Sequence, residues 1–165
     1  MMPPEHSRSS LQRWLALALL VAICLGAAAL GGVLTSHSVN DWYPTLKKPS
    51  WNPPNWVFAP VWTTLYLLMA AAAWLVWMND TASRRLPMTL FGTQLLLNTA
   101  WSALFFGLRN PGLALIDVVL LFLAIAATIA AFRRVSSGAA VLLLPYLAWV
   151  AFAACLNAAI WRMNA

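Results

Sequence analysis

Apolar residues run along this chain in long blocks, broken by short polar or charged interruptions. A hydrocarbon layer about 30 Å thick takes about 20 apolar residues per helix. Five blocks reach that length, at residues 14–35, 57–78, 87–107, 112–132 and 139–161. Asn79-Asp80 with Arg84-Arg85, then Arg109-Asn110-Pro111, then Arg133-Arg134 punctuate the later boundaries. None of the blocks alternates apolar with polar at period two, which excludes a membrane β-barrel. Pro87 and Pro111 stand at helix starts, where a missing N–H is tolerated, and Pro145 is expected to kink the fifth span. The pattern predicts an all-α integral membrane bundle of five transmembrane helices. It forms one domain over residues 1–165, with residues 1–13 as a tail. Arg8 and Arg13 ahead of an apolar run containing Ala27-Ala28-Ala29 have the look of a signal peptide, but the run is longer than such a core, so it is read as the first span.

The connection between the first two spans breaks the pattern. Residues 36–56 read SHSVNDWYPTLKKPSWNPPNW, and five of the chain's ten prolines fall between Pro44 and Pro60. Proline holds this backbone extended or turned, and the interleaved tryptophans argue against a floppy linker. The alternative is an aromatic belt at headgroup depth. Stiff and aromatic together, the segment is read as a structured lid, with Trp42, Tyr43, Lys47, Pro49, Trp51, Pro53 and Pro54 as its residues.

With five spans, the polar and aromatic residues of the helices fall on the lid side. Trp62 and Tyr66 come early in the second span, and Asn98, Trp101 and Phe105 late in the third. Asp117 comes early in the fourth, and Asn157 and Trp161 late in the fifth. Gln94, Asn98, Trp101 and Phe105 step by four, three and four, which is one helix face. Trp149, Ala153, Asn157 and Trp161 form a second, slowly drifting stripe. Such stripes at one depth predict an internal cavity beneath the lid. Gly26, Ala27, Gly31 and Gly32 are expected to bring the first helix close to its neighbours, and Ala103 with Gly107 to offer a small-residue pair for a homodimer. An intramembrane carboxylate such as Asp117 either faces the cavity or is held near its helix N-terminus by the dipole and a bond from the lid.

Composition narrows the class. The chain is 62% hydrophobic and 8% charged, with mean hydropathy +0.76. A water-facing surface cannot be built from so few charges. The net charge of +6 comes from basic residues scattered in ones and twos, which speaks to loops and anionic lipid rather than nucleic acid. Arg8, Arg13, Arg84, Arg85, Arg133 and Arg134 lie on one side and Lys47, Lys48, Arg109 and Arg162 on the other, favouring a cytoplasmic N-terminus. The lid-side cations are candidates to meet ligand carboxylates. Cys24, Cys155, His6 and His37 match no metal, haem or disulfide spacing, so no cofactor is expected. No acid–base or nucleophilic set can be assembled.

The segment WYPTLKKPSWNPPNWVFAPVWTTLY, residues 42–66, resembles the signature of the TspO/MBR family of tryptophan-rich sensory proteins and mitochondrial translocator proteins. TQLLLNTAWSALFFG (93–107), LALIDVVLL (113–121) and LLPYLAWVAFAACLNAAIWRMN (143–164) are similar to its third, fourth and fifth helices. The resemblance implies a multi-pass protein of the bacterial cell membrane, often a homodimer, with a pocket beneath the first loop. Porphyrins and related tetrapyrroles, sterols, and isoquinoline or benzodiazepine drugs are the ligand classes it implies. Positions matching the family's pocket are Trp62, Tyr66, Asn98, Trp101, Trp149 and Ala153, with Asp117 added from its depth. Trp101 and Trp149 match tryptophans implicated in porphyrin photochemistry. The expected function is a tetrapyrrole receptor or carrier, with light- and oxygen-dependent porphyrin degradation and sterol or lipid binding as alternatives. Ala158 and Ala159 stand where the animal proteins carry a sterol-pattern tyrosine, which weakens the sterol reading.

Overall fold

The computed structural model describes residues 9–79 and 83–165. His6, Arg8 and Asp80 lie outside them. Six α-helices follow in order among the described residues: α1 Ser10–Asp41, α2 Phe58–Met78, α3 Arg85–Ser102, α4 Pro111–Arg133, α5 Ser137–Leu142 and α6 Leu144–Asn164. No strand occurs among the described residues. Among the described residues four helical stretches, 10–41, 55–78, 111–133 and 137–164, are long and apolar enough to cross a membrane. The chain is an integral, multi-pass helical membrane protein.

The third expected span is the exception to that apolar set. α3 runs on through a π turn, Ala103–Gly107, and so reaches the expected length. Its hydropathy is diluted by Thr89, Thr93, Gln94, Asn98 and Thr99. Thr93 and Thr99 donate to the carbonyls four residues back, at 3.0 and 3.1 Å, which leaves their hydroxyls satisfied. Gln94 and Asn98 are buried among other helices.

Two other boundaries differ from expectation. α1 does not stop near Thr35 but continues to Asp41, so residues 36–41 are helix rather than lid. Its proline-free sequence allows this, and the helix ends just before Pro44. At 32 residues it is about 48 Å long, more than the hydrocarbon core requires. The fifth expected span is divided at Leu143, and Pro145 sits in the first turn of α6. Pro145 cannot donate to a carbonyl four residues back, so the break falls just ahead of it.

Buried α1 residues Leu20, Cys24, Gly31 and Ser38 form one stripe, and the rest of the helix is largely exposed. The early part of α1 packs on α2. Leu20 and Cys24 join the cluster containing Met69, Ala73 and Val76, and the Trp74 indole donates to the Arg13 carbonyl at 3.1 Å. The later part leaves α2 for the end of α3. A side-chain carbon on Gly31 would lie 3.3 Å from Ser102 Oγ, so glycine allows this close crossing. Gly26 and Gly32 face open space and serve no such contact. Ser38 donates to the Phe106 carbonyl at 2.7 Å, a group reached where the π turn loosens the helix. Arg109, at φ 51°, closes that turn and pairs with Asp41 at 2.8 Å.

Candidate ligand-binding site

Residues 42–57 form an ordered cap. Short 3₁₀ turns at Tyr43–Thr45 and Asn55–Val57 bracket an extended, proline-rich stretch. The Tyr43 hydroxyl donates to Asn52 Oδ1 at 2.8 Å, and the Asn52 N–H donates to the Pro49 carbonyl at 3.0 Å. Burial raises the Tyr43 phenol above its ordinary range, against the smaller opposing pull of the Asn52 bond, so this anchor stays protonated at neutral pH. The Lys48 ammonium donates to the carbonyls of Tyr43 (2.6 Å) and Leu46 (2.9 Å) and lies 4.7 Å above the Tyr43 ring. Trp42 meets Phe105 edge-on at 5.7 Å, and Trp51 meets Phe152 at 5.8 Å. Asn164, at the end of α6, fastens the cap to the bundle. Its amide accepts from the Lys47 N–H at 3.0 Å and donates to the Lys47 carbonyl at 2.9 Å.

Beneath this cap lies a cavity of about 460 Å³, within the size range of small-molecule pockets. Trp62 and Tyr66 reach it from α2, Asn98 and Trp101 from α3, and Trp149 and Ala153 from α6. These six sequence-derived positions therefore come together around one space. Tyr43 is the member of the expected lid set that reaches the cavity wall, and Asn55, Phe58, Phe105 and Phe152 are among the further aromatic and polar residues that line it. Trp101 stacks on Phe105 at 5.1 Å and donates from its indole to Asn157 Oδ1 at 3.0 Å. Trp149 rests against Phe152 at 5.4 Å and Phe58 at 6.0 Å, so both indoles are held in place by neighbours.

The floor of the cavity is polar but uncharged. The Tyr66 hydroxyl donates to Asn98 Oδ1 at 2.5 Å, Asn98 donates to the Tyr146 hydroxyl at 3.0 Å, and Tyr146 donates to Gln94 Oε1 at 2.8 Å. Gln94 ends the chain against Met69 Sδ at 3.8 Å. Tyr146 is fully buried and was not among the sequence-derived candidates. Its spacing of three from Trp149 and seven from Ala153 places it on the same helix face, and that was the available signal.

Three expectations need correction. Asp117 is buried, 7% exposed, but does not line the cavity, and no lid residue bonds to it. Its Oδ2 has no hydrogen-bond partner among the described residues. Trp161 is 44% exposed and has rotated off the α6 stripe, because each four-residue step advances about 40° around a helix. Among the lid-side cations, Lys48 is engaged inside the cap and Arg109 with Asp41, leaving the exposed Lys47 and Arg162 facing outward.

The position of Asp117 makes a direct prediction. Replacing an unpartnered buried polar group by an apolar one of similar shape is neutral or stabilising. Asp117→Leu is expected to keep or raise the thermal midpoint in detergent, and to leave affinity for a cavity ligand within about twofold. A tenfold loss of affinity without loss of stability would mean that the carboxylate reaches the ligand.

Comparison with known sequences agrees with this architecture. The TspO/MBR family model matches residues 19–162. The tryptophan-rich protein TspO of Chlorobaculum tepidum is 44% identical, over 91% of this chain and 96% of that protein. The human translocator protein is 49% identical over 84% of this chain and 86% of its own length. The tryptophan-rich sensory protein of Cereibacter sphaeroides is 39% identical over 92% of both. A match of this extent, on a helical membrane bundle whose tryptophans and prolines build a capped cavity, makes the chain a member of the TspO/MBR family.

Proposed function

We propose that this chain is a membrane receptor or carrier for porphyrins and related tetrapyrroles, held in the cavity beneath the cap. The observation that carries the reading is the pairing of flat indole walls, Trp62, Trp101 and Trp149, with the neutral Tyr66–Asn98 floor. The Tyr66 hydroxyl spends its hydrogen on Asn98, so its free lone pair accepts from a ligand. Asn98 spends one of two amide hydrogens on Tyr146, so the other is left to donate. A free-base porphyrin offers a flat π face to the indoles, together with pyrrole N–H donors and imine nitrogen acceptors to this floor. Its carboxylates find no cation in the cavity lining, since Lys48 and Arg109 are already paired and Lys47 and Arg162 face outward, so they belong at the polar edge of the site rather than at its floor.

The test is a dark titration of the solubilised protein with protoporphyrin IX, read by tryptophan fluorescence with absorption correction. Stacking on an aromatic ring contributes about 0.5–1.5 kcal/mol. Trp101→Ala is therefore expected to weaken a saturable one-site curve by about three- to tenfold, and Trp101→Phe by less. Non-saturable quenching, equal in wild type and variant, would mean that the porphyrin merely partitions into an apolar protein.

A further inference from the structure

The cap covers the cavity from above, yet several residues lining it are exposed. They are Gly32 and Ser36 on α1, Asn55 in the 3₁₀ turn that leads into α2, and Ala59 and Thr63 at the start of α2. They mark a gap between two helices that pack together further along. α1 rests on α2 around Leu20 and Cys24, then swings to α3 at Gly31 and Ser38. The divergence opens a slot between the end of α1 and the start of α2.

The slot lies at hydrocarbon depth. Trp56, 74% exposed, stands where an interfacial tryptophan belongs, beside Asn55. Thr63 is about 8 Å below the first residue of α2, and Gly32 about 14 Å below the last residue of α1, at 1.5 Å per residue. The rim is also built for lipid contact. Ser36 donates to the Val33 carbonyl at 2.8 Å and Thr63 to the Ala59 carbonyl at 2.9 Å. Each hydroxyl is thus satisfied on its own helix and presents no unmet polar group to the membrane. The small side chains at Gly32, Ser36 and Ala59 keep the slot open, and a side-chain carbon on Gly32 would meet nothing within 4 Å.

We propose that this slot is a lateral window, through which the cavity exchanges its ligand with the lid-side leaflet of the bilayer. The site then draws on amphiphiles dissolved in the membrane, and the cap acts as a fixed roof rather than the door. The identity of the ligand rests on the function proposed above; the window itself does not.

The window is tested without a porphyrin. Ala153→Cys places a thiol on the cavity wall, in a Cys155→Ala background that removes the exposed native thiol; Cys24 is buried. In lipid nanodiscs, a membrane-partitioning maleimide is compared with a sulfonated, water-confined one, each rate normalised to a free thiol. The apolar reagent is expected to label the introduced thiol at least tenfold faster. Gly32→Phe, or Ser36→Phe if the first variant folds poorly, is expected to slow that reagent at least tenfold. Asn164→Ala, which loosens the cap, leaves its rate unchanged. Equal rates for both reagents, or acceleration by Asn164→Ala with no effect of Gly32→Phe, would overturn the window in favour of entry through the cap. Stopped-flow protoporphyrin IX binding in the same nanodiscs separates the two proposals. A window-dependent labelling pattern with no saturable porphyrin binding would reject the ligand and keep the window.

Discussion

Ala153→Phe is expected to weaken porphyrin binding by about ten- to a hundredfold while leaving the fold intact. Ala153 lies on the α6 face between Trp149 and Asn157, and all three line the cavity. A phenyl ring there occupies the space between the Trp62 and Trp101 walls, where the macrocycle is expected to lie. Forcing extra volume into a packed site costs about 1–3 kcal/mol, and every 1.4 kcal/mol is tenfold in affinity. In the ligand-free protein the ring enters open space, so the thermal midpoint should hold or rise. Titration and thermal unfolding of the same preparation separate the two effects. Unchanged affinity with a stable fold would place the ligand elsewhere.

Asn98→Leu is expected to produce the opposite combination, a loss of both stability and binding. Asn98 is the middle of the buried chain from Tyr66 to Gln94, and it bonds two hydroxyls on two other helices. Its removal leaves the Tyr66 hydroxyl without its acceptor, whereas Tyr146 keeps Gln94. An orphaned buried polar group costs about 1–3 kcal/mol, and interhelical bonds in membranes fall toward the lower end of that range. The variant should melt several degrees below wild type in detergent. Tyr66→Phe in the same background should recover part of the loss, because it removes the stranded hydroxyl rather than its partner. A double variant no more stable than Asn98→Leu alone would mean that the Tyr66–Asn98 bond does not hold the floor together.

Much of this arrangement was legible in the sequence because membrane helices obey few rules. Apolar length announced five spans, of which the third is the least apolar, and the 4-3-4 spacing of Gln94, Asn98, Trp101 and Phe105 announced an inward face on that helix. The prolines from Pro44 onward announced the cap. Periodicity is blind to three things that shape the cavity. The continuation of α1 past Thr35 is one, since Ser36–Asp41 carry loop-like polarity and are held as helix by Phe106 and Arg109 across 68 residues of chain. The π turn is another, because nothing in ALFFG distinguishes it from an α-helical end. Asp117 is the third. Its depth along α4 was readable, but not which way it points, and it turns out to be buried away from the cavity. Tyr146 is a missed residue of another kind, since its spacing to Trp149 and Ala153 put it on their helix face, and the structure buries it behind the lining as the partner of Asn98.

The most direct test of the central claim is induced circular dichroism in the Soret band of protoporphyrin IX, measured as the porphyrin is added to the protein in nanodiscs. The free macrocycle is achiral and acquires a signal when one orientation is held against a chiral aromatic wall. The account predicts a band that saturates at about one porphyrin per chain and is lost in Ala153→Phe. A signal that is absent, or that grows without saturating and equally in Ala153→Phe, would contradict a defined tetrapyrrole site beneath the cap.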